Sequence, residues 1–151
     1  KAEKFLCSNG VDINISNHVI QIIRNISFKG GNANRNFSSI ELDVVQDADR
    51  LDALGAIGIA RAFSYGGHKG REFFNPELPP VLNMTPDQYK NSKAPTINHF
   101  YEKLILLKDR MNTNKGRELA NERHEFLLNF LDHFYKEWFG DNEIKRNFYP
   151  W

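Results

Sequence analysis

The sequence between residues 47 and 61 reads DADRLDALGAIGIAR, and this stretch decides how the chain folds. Three carboxylates and two arginines interrupt a run of small and apolar residues with helical character. Moving an unpaired ion into a packed interior costs roughly several kcal/mol, so a buried acid normally binds a metal, a cation or a hydrogen-bond donor. On a helix, Asp49 and Asp52 lie three residues apart and share one face. That face is otherwise apolar and carries Val45, Ala48, Ala53 and Ala56. We therefore expect at least one of the two acids to point inward.

The same stretch resembles the last motif of the HD-domain metal-dependent phosphohydrolases. In a branch of small bacterial and fungal hydrolases of this family, the motif reads close to DADRLDAxGAxGIARxF, and residues 47–63 fill that pattern. The resemblance continues at residues 22–29 (IIRNISFK), 96–104 (TINHFYEKL) and 123–126 (RHEF), so it covers nearly the whole chain. It implies an all-α fold, an HD-domain-like helical bundle.

Most of the metal site that gives this family its name has no counterpart in the chain. HD enzymes hold their metal with an early His, an adjacent His-Asp pair and a final Asp, and no His-Asp dipeptide occurs in this sequence. Only the final ligand has a match, which is Asp49. The resemblance therefore implies that residues 1–151 are a partial HD domain, the C-terminal two-thirds, with the N-terminal helices missing.

The resemblance implies that Asp49 is a metal ligand, a role that suits a carboxylate on a stiff helix because it can hold an ion and leave coordination positions open. The resemblance implies Mn²⁺ or Mg²⁺ as the cofactor, and mixed nitrogen and oxygen ligation also admits Fe, Ni or Co. From the residues alone, the alternative is a buried salt bridge from Asp49 to Arg50 or Arg61. Asp52 is a candidate for orienting a metal ligand or an arginine. Asp47 lies on another side of the helix and is expected to be solvated or salt-bridged.

Two arginines and a tyrosine near the motif are further candidates. Arg50 follows Asp49 directly, where the resemblance implies a catalytic basic residue near the substrate phosphates, and a surface arginine is the equal alternative. Arg61 lies about three helical turns beyond Arg50, and Tyr65 follows one turn later. Both side chains could bind a phosphate or sugar, although a structural salt bridge explains Arg61 equally well.

A second group of candidate substrate-binding residues lies outside the central motif. His99 and Lys103 are four residues apart and therefore share a helical face, where they could grip polyphosphate oxygens or supply a proton to a leaving group. A polar helix flank is the alternative. Lys29 precedes two glycines and is either a phosphate contact or an ordinary loop residue.

Composition fits one globular domain and excludes few functions. The 151 residues are 40% hydrophobic and 26% charged, which is enough for a core. A formal charge of +1 provides no general attraction for nucleic acid or an anionic membrane, and no apolar run approaches membrane-spanning length. The single Cys7 precludes an internal disulfide and is typical of a reducing compartment, so the cytoplasm is the expected location.

The pattern predicts helices joined by loops. We expect a helix at 17–28 with Ser16 as its N-cap, then a loop at 29–37. A Ser-x-x-Glu capping box, Ser38 to Glu41, would open one central helix that ends near residue 64. Its glycines and alanines indicate close approach of neighbouring backbones.

Two more helices are expected after a long loop. Residues 65–95 hold five of the six prolines and lack periodicity, which predicts a long irregular loop. Thr96 would cap the next helix, with an inward face made by Ile97, Phe100, Leu104, Leu107 and Met111. The last helix, 116–139, would end at Gly140 and bury Ala120, Leu127, Phe130, Leu131, Phe134 and Trp138.

The resemblance implies a metal-dependent phosphohydrolase that acts on nucleotides. In the intact protein, the leading expectation is conversion of a nucleoside triphosphate to the monophosphate and pyrophosphate, while nucleotidase-like and cyclic-nucleotide reactions remain open. This partial domain alone should be almost inactive, because one carboxylate cannot retain a divalent ion tightly. The alternative is a non-catalytic helical module that binds a nucleotide or a protein. A small-molecule nucleotide is the expected partner, and a homo-oligomer stays open.

Overall fold

The computed structural model describes residues 1–26 and 37–140, and every regular element within them is helical. The predicted all-α fold is therefore confirmed. The helices are α1 (Ala2–Ser8), α2 (Ile13–Asn25), α3 (Ile40–Leu51), α4 (Gly55–His68), α5 (Pro86–Asn91), α6 (Thr96–His99) and α7 (Asn114–Phe139). After α6 the chain continues as a π-helical turn, Phe100–Leu104, and a 3-10 helix, Ile105–Arg110. Lys29 and most of the predicted loop at 29–37 lie outside the described residues.

The hydrophobic core lies where α4, the helical segment that begins with α6, and α7 pack together. Aromatic rings fill much of it, and the Phe100 and Phe130 rings stack with their centroids 5.8 Å apart. All five residues predicted to face inward after Thr96 are buried. On α7 the prediction holds for Ala120, Leu127 and Leu131 and is wrong for Trp138, which is 49% exposed.

The predicted central helix is two helices, which corrects the sequence interpretation. α3 ends at Leu51 and α4 begins at Gly55, because Leu54 is extended (φ −109°, ψ 164°) and Gly55 has a φ of +67°. A side chain would strain that left-handed conformation, so the glycine permits the bend. The predicted close approach is confirmed at Gly58, where an added Cβ would overlap the backbone carbonyl of Ala53.

The capping residues of two helices, α2 and α3, differ from the prediction. Asp12 caps α2 by accepting from the N–H groups of Asn14 (2.8 Å) and Ile15 (3.2 Å), while Ser16 is buried inside the helix. A carboxylate outcompetes the later serine because it can bind two of the unsatisfied amides at once. Ser39 caps α3 by accepting from the Leu42 N–H at 3.2 Å, so the predicted capping box from Ser38 does not form.

The other predicted helix boundaries lie within about one helical turn of the observed ones. The structure also contains one short helix that was not predicted. Pro95 takes the N-cap position of α6 that was predicted for Thr96. The predicted loop at 65–95 begins after His68 and contains the short helix α5. No described helix has both the length and the apolar composition that crossing a membrane requires.

The buried Asp47 side chain ties α3 to the start of α7. One carboxylate oxygen accepts from the Asn112 N–H at 2.8 Å, and the other accepts from the N–H and the hydroxyl of Thr113, both at 2.8 Å. Arg50 pairs with the same carboxylate at 3.2 Å, which confirms the predicted salt bridge and excludes the solvated alternative. An added Cβ at Gly116 would overlap this carboxylate, so the glycine makes room for it.

Burial alone would raise the pKa of Asp47. The hydrogen bonds from Asn112 and Thr113, together with the charge of Arg50, outweigh burial and hold that pKa below its ordinary value. The carboxylate is therefore ionised and fully hydrogen-bonded, which is the condition under which a buried charge stabilises a fold.

Replacement of Asp47 by Ala should lower the free energy of unfolding by roughly 3 kcal/mol or more, because several buried donors lose their acceptor. Asp49→Ala is the matched control on the same helix. Asp49 is exposed, so its loss should change stability by less than about 0.5 kcal/mol. Urea denaturation followed by circular dichroism measures both, and equal losses would contradict the assigned role of Asp47.

Gly58→Ala should destabilise the fold by roughly 2 kcal/mol or more, because the new methyl group would collide with a backbone carbonyl. Gly67→Ala in the same helix has open space around its Cβ position. That change should leave stability unchanged or raise it by up to about 1 kcal/mol, since alanine favours helix. Thermal unfolding of the two variants compares them directly.

Candidate functional site

A cavity of about 770 Å³ lies between α4 and the helical segment that begins with α6. Four of the predicted substrate-binding residues line it together: Arg61 and Tyr65 from α4, and His99 and Lys103 from the opposite wall. These residues are far apart in sequence, and the packing of the two helical walls brings them to one place.

The two walls run antiparallel. An added Cβ at Gly66 would overlap the Thr96 hydroxyl at the start of α6, and the Phe63 ring lies 5.8 Å from the Phe100 ring one turn further along. Lys103 therefore lies towards the beginning of α4, where α3 ends. The antiparallel order defines two ends of the cavity, and Lys103 belongs to the end next to α3.

His99 is uncharged at neutral pH. Burial, and then the nearby charges of Lys103 and Arg71, lower the pKa of His99 to about 4. A neutral imidazole has one nitrogen that donates and one that accepts. His99 can therefore hydrogen-bond a ligand at neutral pH without adding a charge to the cavity.

Lys103 connects the cavity to the acidic motif. Burial lowers the pKa of Lys103, the negative charge of Asp49 opposes that shift, and Arg110 adds to it. Asp49 is thus close enough to influence the Lys103 ammonium across the gap between α3 and the cavity wall. Ala53, Gly58 and Arg61 of the sequence motif also line the cavity, so the motif and the predicted substrate-binding residues belong to one region.

Both acids that were expected to share an inward face are exposed, so that prediction is wrong for the described residues. Asp49 projects from α3 into solvent, and Asp52 forms an ion pair with Arg61 at 2.7 Å. The Arg61 guanidinium also donates to the Asp52 carbonyl at 3.2 Å. The Asp52–Arg61 contacts join α4 to the end of α3, and a role of Asp52 at a metal site stays a prediction.

Arg50 is engaged in packing rather than pointing into the cavity. Its guanidinium bonds the Asp47 carboxylate at 3.2 Å and donates to the Arg110 carbonyl at 2.6 Å. The bond to Arg110 joins α3 to the end of the 3-10 helix. The catalytic role expected for Arg50 stays a prediction, and its observed contacts favour the structural alternative.

The residues described do not by themselves fit a divalent metal. Within 1–26 and 37–140, no group of three or more His, Cys, Asp or Glu side chains is arranged to hold an ion. Asp49 could contribute one oxygen ligand, but a stable site needs several.

Sequence reasoning missed two charged residues of the cavity. Arg71 follows Gly70 in a segment without periodicity, so no local signal distinguishes it from a surface arginine. Glu102 could have been found, because it lies three residues after His99 on the same face. Burial raises the pKa of Glu102, while its bond from the Val81 N–H (3.2 Å) and the Arg71 charge oppose that shift.

His99 should make stability depend on pH. The unfolded chain takes up the His99 proton near pH 6.5, whereas the folded chain does so only near pH 4, so acidification across this window favours unfolding. The loss attributable to His99 should approach roughly 2–3 kcal/mol at pH 4. His99→Gln should remove that part of the acid sensitivity in urea titrations at several pH values. The exposed His133→Gln serves as the control, and parallel pH profiles for the parent and His99→Gln would contradict the assignment.

Comparisons with known proteins identify relatives that are longer than this chain. No protein-family model matches. The uncharacterized protein YpgQ of Bacillus subtilis is 43% identical over 129 residues, which are 85% of this chain and 55% of YpgQ. A crystal structure from Lactobacillus plantarum has a TM-score of 0.81 and 42% identity, covering 90% of this chain and 66% of that one. The chain thus spans between about half and two-thirds of these relatives.

Two further solved structures bear on function. An HD-superfamily hydrolase from Bacillus thuringiensis has a TM-score of 0.69 and 44% identity, covering 91% of this chain and 61% of that one. YpgQ has been crystallised in complex with ADP, and that structure has a TM-score of 0.69, 38% identity and coverage of 90% and 61%. Over nine-tenths of its length, this chain is thus similar in both sequence and fold to a protein named as an HD-superfamily hydrolase.

Proposed function

We propose that this chain is the phosphate-binding part of an HD-type, metal-dependent phosphohydrolase that acts on nucleotides. In the intact protein, the reaction would convert a nucleoside triphosphate to the monophosphate and pyrophosphate. The similarity to an HD-superfamily hydrolase and the ADP complex of YpgQ support a hydrolase that handles nucleotides.

The observation that carries the proposal is the cavity between α4 and the helical segment that begins with α6, because its wall includes Ala53, Gly58 and Arg61 of the sequence motif. The cavity wall presents Lys103 and Arg71 beside a neutral His99, and the Lys103 ammonium responds to the charge of Asp49. Ammonium and guanidinium groups in a partly desolvated cleft bind phosphate oxygens by charge-assisted hydrogen bonds. A ligand seated on Lys103 would therefore have a phosphate near Asp49, the proposed metal ligand.

Each residue of this region has a separate task in the proposal. Lys103 would bind the phosphate nearest Asp49 and neutralise negative charge that grows during bond cleavage. His99 would orient a phosphate oxygen or the leaving group as a neutral hydrogen-bonding partner. Arg61, held by Asp52, would keep the end of α3 beside the cavity.

A divalent metal, Mn²⁺ or Mg²⁺ in the proposal, would supply an activated water when bound. Asp49 would be one of its ligands. The other ligands would have to come from outside the residues described here, which hold no suitable cluster. We therefore expect the 151-residue chain to bind nucleotides but to hydrolyse them very slowly.

A second candidate function follows from the same finding. A helical module that binds a nucleotide without hydrolysing it would need the cavity but no metal ligands. The lack of a ligand cluster among the described residues favours this alternative for the chain taken alone. Binding and turnover measurements separate the two functions.

Nucleotide binding by the 151-residue chain tests the role of the cavity. Isothermal titration calorimetry with ATP in metal-free buffer should detect binding, and Lys103→Ala should weaken it about tenfold, because a charge-assisted bond is lost. Lys115→Ala, which removes an exposed lysine at the start of α7, should leave the affinity unchanged. Equal affinities for the parent and Lys103→Ala would contradict phosphate binding at this place.

Turnover tests the role of Asp49. A chimera would join this chain to the part of the Bacillus thuringiensis hydrolase that lies outside the matched region. With ATP and Mn²⁺, it should release AMP and pyrophosphate, while Asp49→Asn should reduce the rate at least about a hundredfold. Asp132→Asn on α7 is the matched control and should retain full activity. Vigorous hydrolysis by the 151 residues alone, or by the Asp49→Asn chimera, would refute the assigned ligand role.

A further inference from the structure

The motif at residues 123–126 (RHEF) lies on α7 and does not line the cavity. Its first residue, Arg123, reaches the bend between α3 and α4. The guanidinium donates at 2.6 Å to the carbonyl of Leu51, the last residue of α3. That oxygen also accepts from the Leu54 N–H at 3.1 Å. A cation at the C-terminal end of a helix is attracted by the helix carbonyls, so Arg123 stabilises the end of α3.

The aliphatic part of Arg123 packs against the bend itself. Its Cγ and Cβ atoms lie 3.2 and 3.3 Å from the position that a Cβ atom on Gly55 would occupy. Gly55 has a φ of +67° and redirects the chain from α3 to α4. A single side chain of α7 therefore contacts the end of α3 and the start of α4.

Helix α3 has little apolar burial to hold it in place. Of its 12 residues, only Leu42 and Asp47 are buried. Asp47 attaches α3 to the turn before α7, and Arg123 attaches Leu51 to α7 itself. Asp49 lies between these two attached positions. A helix held at one point can pivot about it, whereas a second attachment restricts its direction.

We propose that Arg123 is a positioning residue for Asp49: by holding the bend between α3 and α4, it fixes the direction in which α3 presents this carboxylate to the cavity. The inference rests on the proposed function, in which Asp49 binds a metal. Arg123 acts through the backbone of α3 and does not touch the nucleotide.

A metal ligand tolerates little displacement. Ligand distances in metal sites vary by only about 0.2 Å, and a displacement of about 1 Å in an active site can reduce a rate by roughly a hundredfold. Gly55 lies where a hinge would lie, because it ends one element, begins another and has no side chain to restrict its backbone. Without the guanidinium, α3 would lose its charged contact beside this hinge. Turnover should then fall while the residues of the cavity stay in place.

Distance measurements on the 151-residue chain test the effect on α3 directly. Spin labels at Val44→Cys on α3 and Gly67→Cys on α4 occupy exposed positions, and the exposed Cys7 is first replaced by Ser. Arg123→Met keeps an aliphatic stem and removes the donor. Pulsed electron paramagnetic resonance should then show a mean distance shifted by more than about 2 Å, or a distribution about twofold broader. Arg123→Lys restores a donor and should return the distribution close to that of the parent.

Turnover of the chimera with ATP and Mn²⁺ tests whether the direction of α3 matters to the reaction. Arg123→Met should lower kcat about tenfold or more and change the KM for ATP by less than about twofold. Arg123→Lys should recover most of that loss. Arg117→Met is the matched control and should keep the parent kcat. Arg117 also lies on α7 and donates to backbone carbonyls, those of Met111 (3.0 Å) and Asn112 (3.1 Å), which belong to the turn before α7.

Thermal unfolding first establishes that each variant is folded at the assay temperature. If Arg123→Met is not folded, Arg123→Gln replaces it, because the shorter amide does not reach the Leu51 carbonyl. An unchanged distance distribution, or a changed one with an unchanged kcat, would overturn the inference. The proposed function then still stands if Asp49→Asn inactivates the chimera. Full activity of the Asp49→Asn chimera would refute the proposed function and this inference together.

Discussion

The hydrogen-bonded carboxylate of Asp47 is the interaction on which the arrangement of the site depends. It fixes α3 against the turn that precedes α7 through Asn112 and Thr113. Residues two apart on a helix point about 200° away from each other. Because Asp47 is held against α7, Asp49 must face the opposite side, where its charge acts on Lys103. Asp47 thus stabilises the fold, and Asp49 is exposed on the other side of α3.

The bend between α3 and α4 gives the cavity its shape. A continuous helix would carry residues 55–68 straight on from α3, whereas the left-handed Gly55 redirects them against α6. Two glycines then permit close contact, since Gly58 lies against Ala53 and Gly66 against Thr96. Space for a ligand remains between these tight contacts. The glycines are therefore costly for helix formation and necessary for the site.

Local sequence patterns predicted the helical class and most of the core, because periodicity reports which face of a helix is apolar. They failed where the deciding partner is distant. Asp47 is buried because of Asn112, 65 residues further along the chain, and no local pattern contains that information.

The face shared by Asp49 and Asp52 shows a second limit of pattern reasoning. α3 has apolar residues on more than one side, and packing buries Leu42 while it leaves Val44 52% exposed. A helical wheel cannot say which of two apolar sides meets the core. Helical periodicity also gives no information about Arg71, because the path of a loop sets its position in the cavity.

The charges of the cavity explain why it should favour an anion. Burial and neighbouring cations lower the pKa of both His99 and Lys103, so the positive forms of these groups are less stable here than in water. A phosphate between them would reverse the sign of the nearest charge and stabilise both positive forms. By linkage, ligand binding and proton uptake then favour one another. An anionic ligand in the cavity would thus offset the free-energy cost of holding His99 and Lys103 close together.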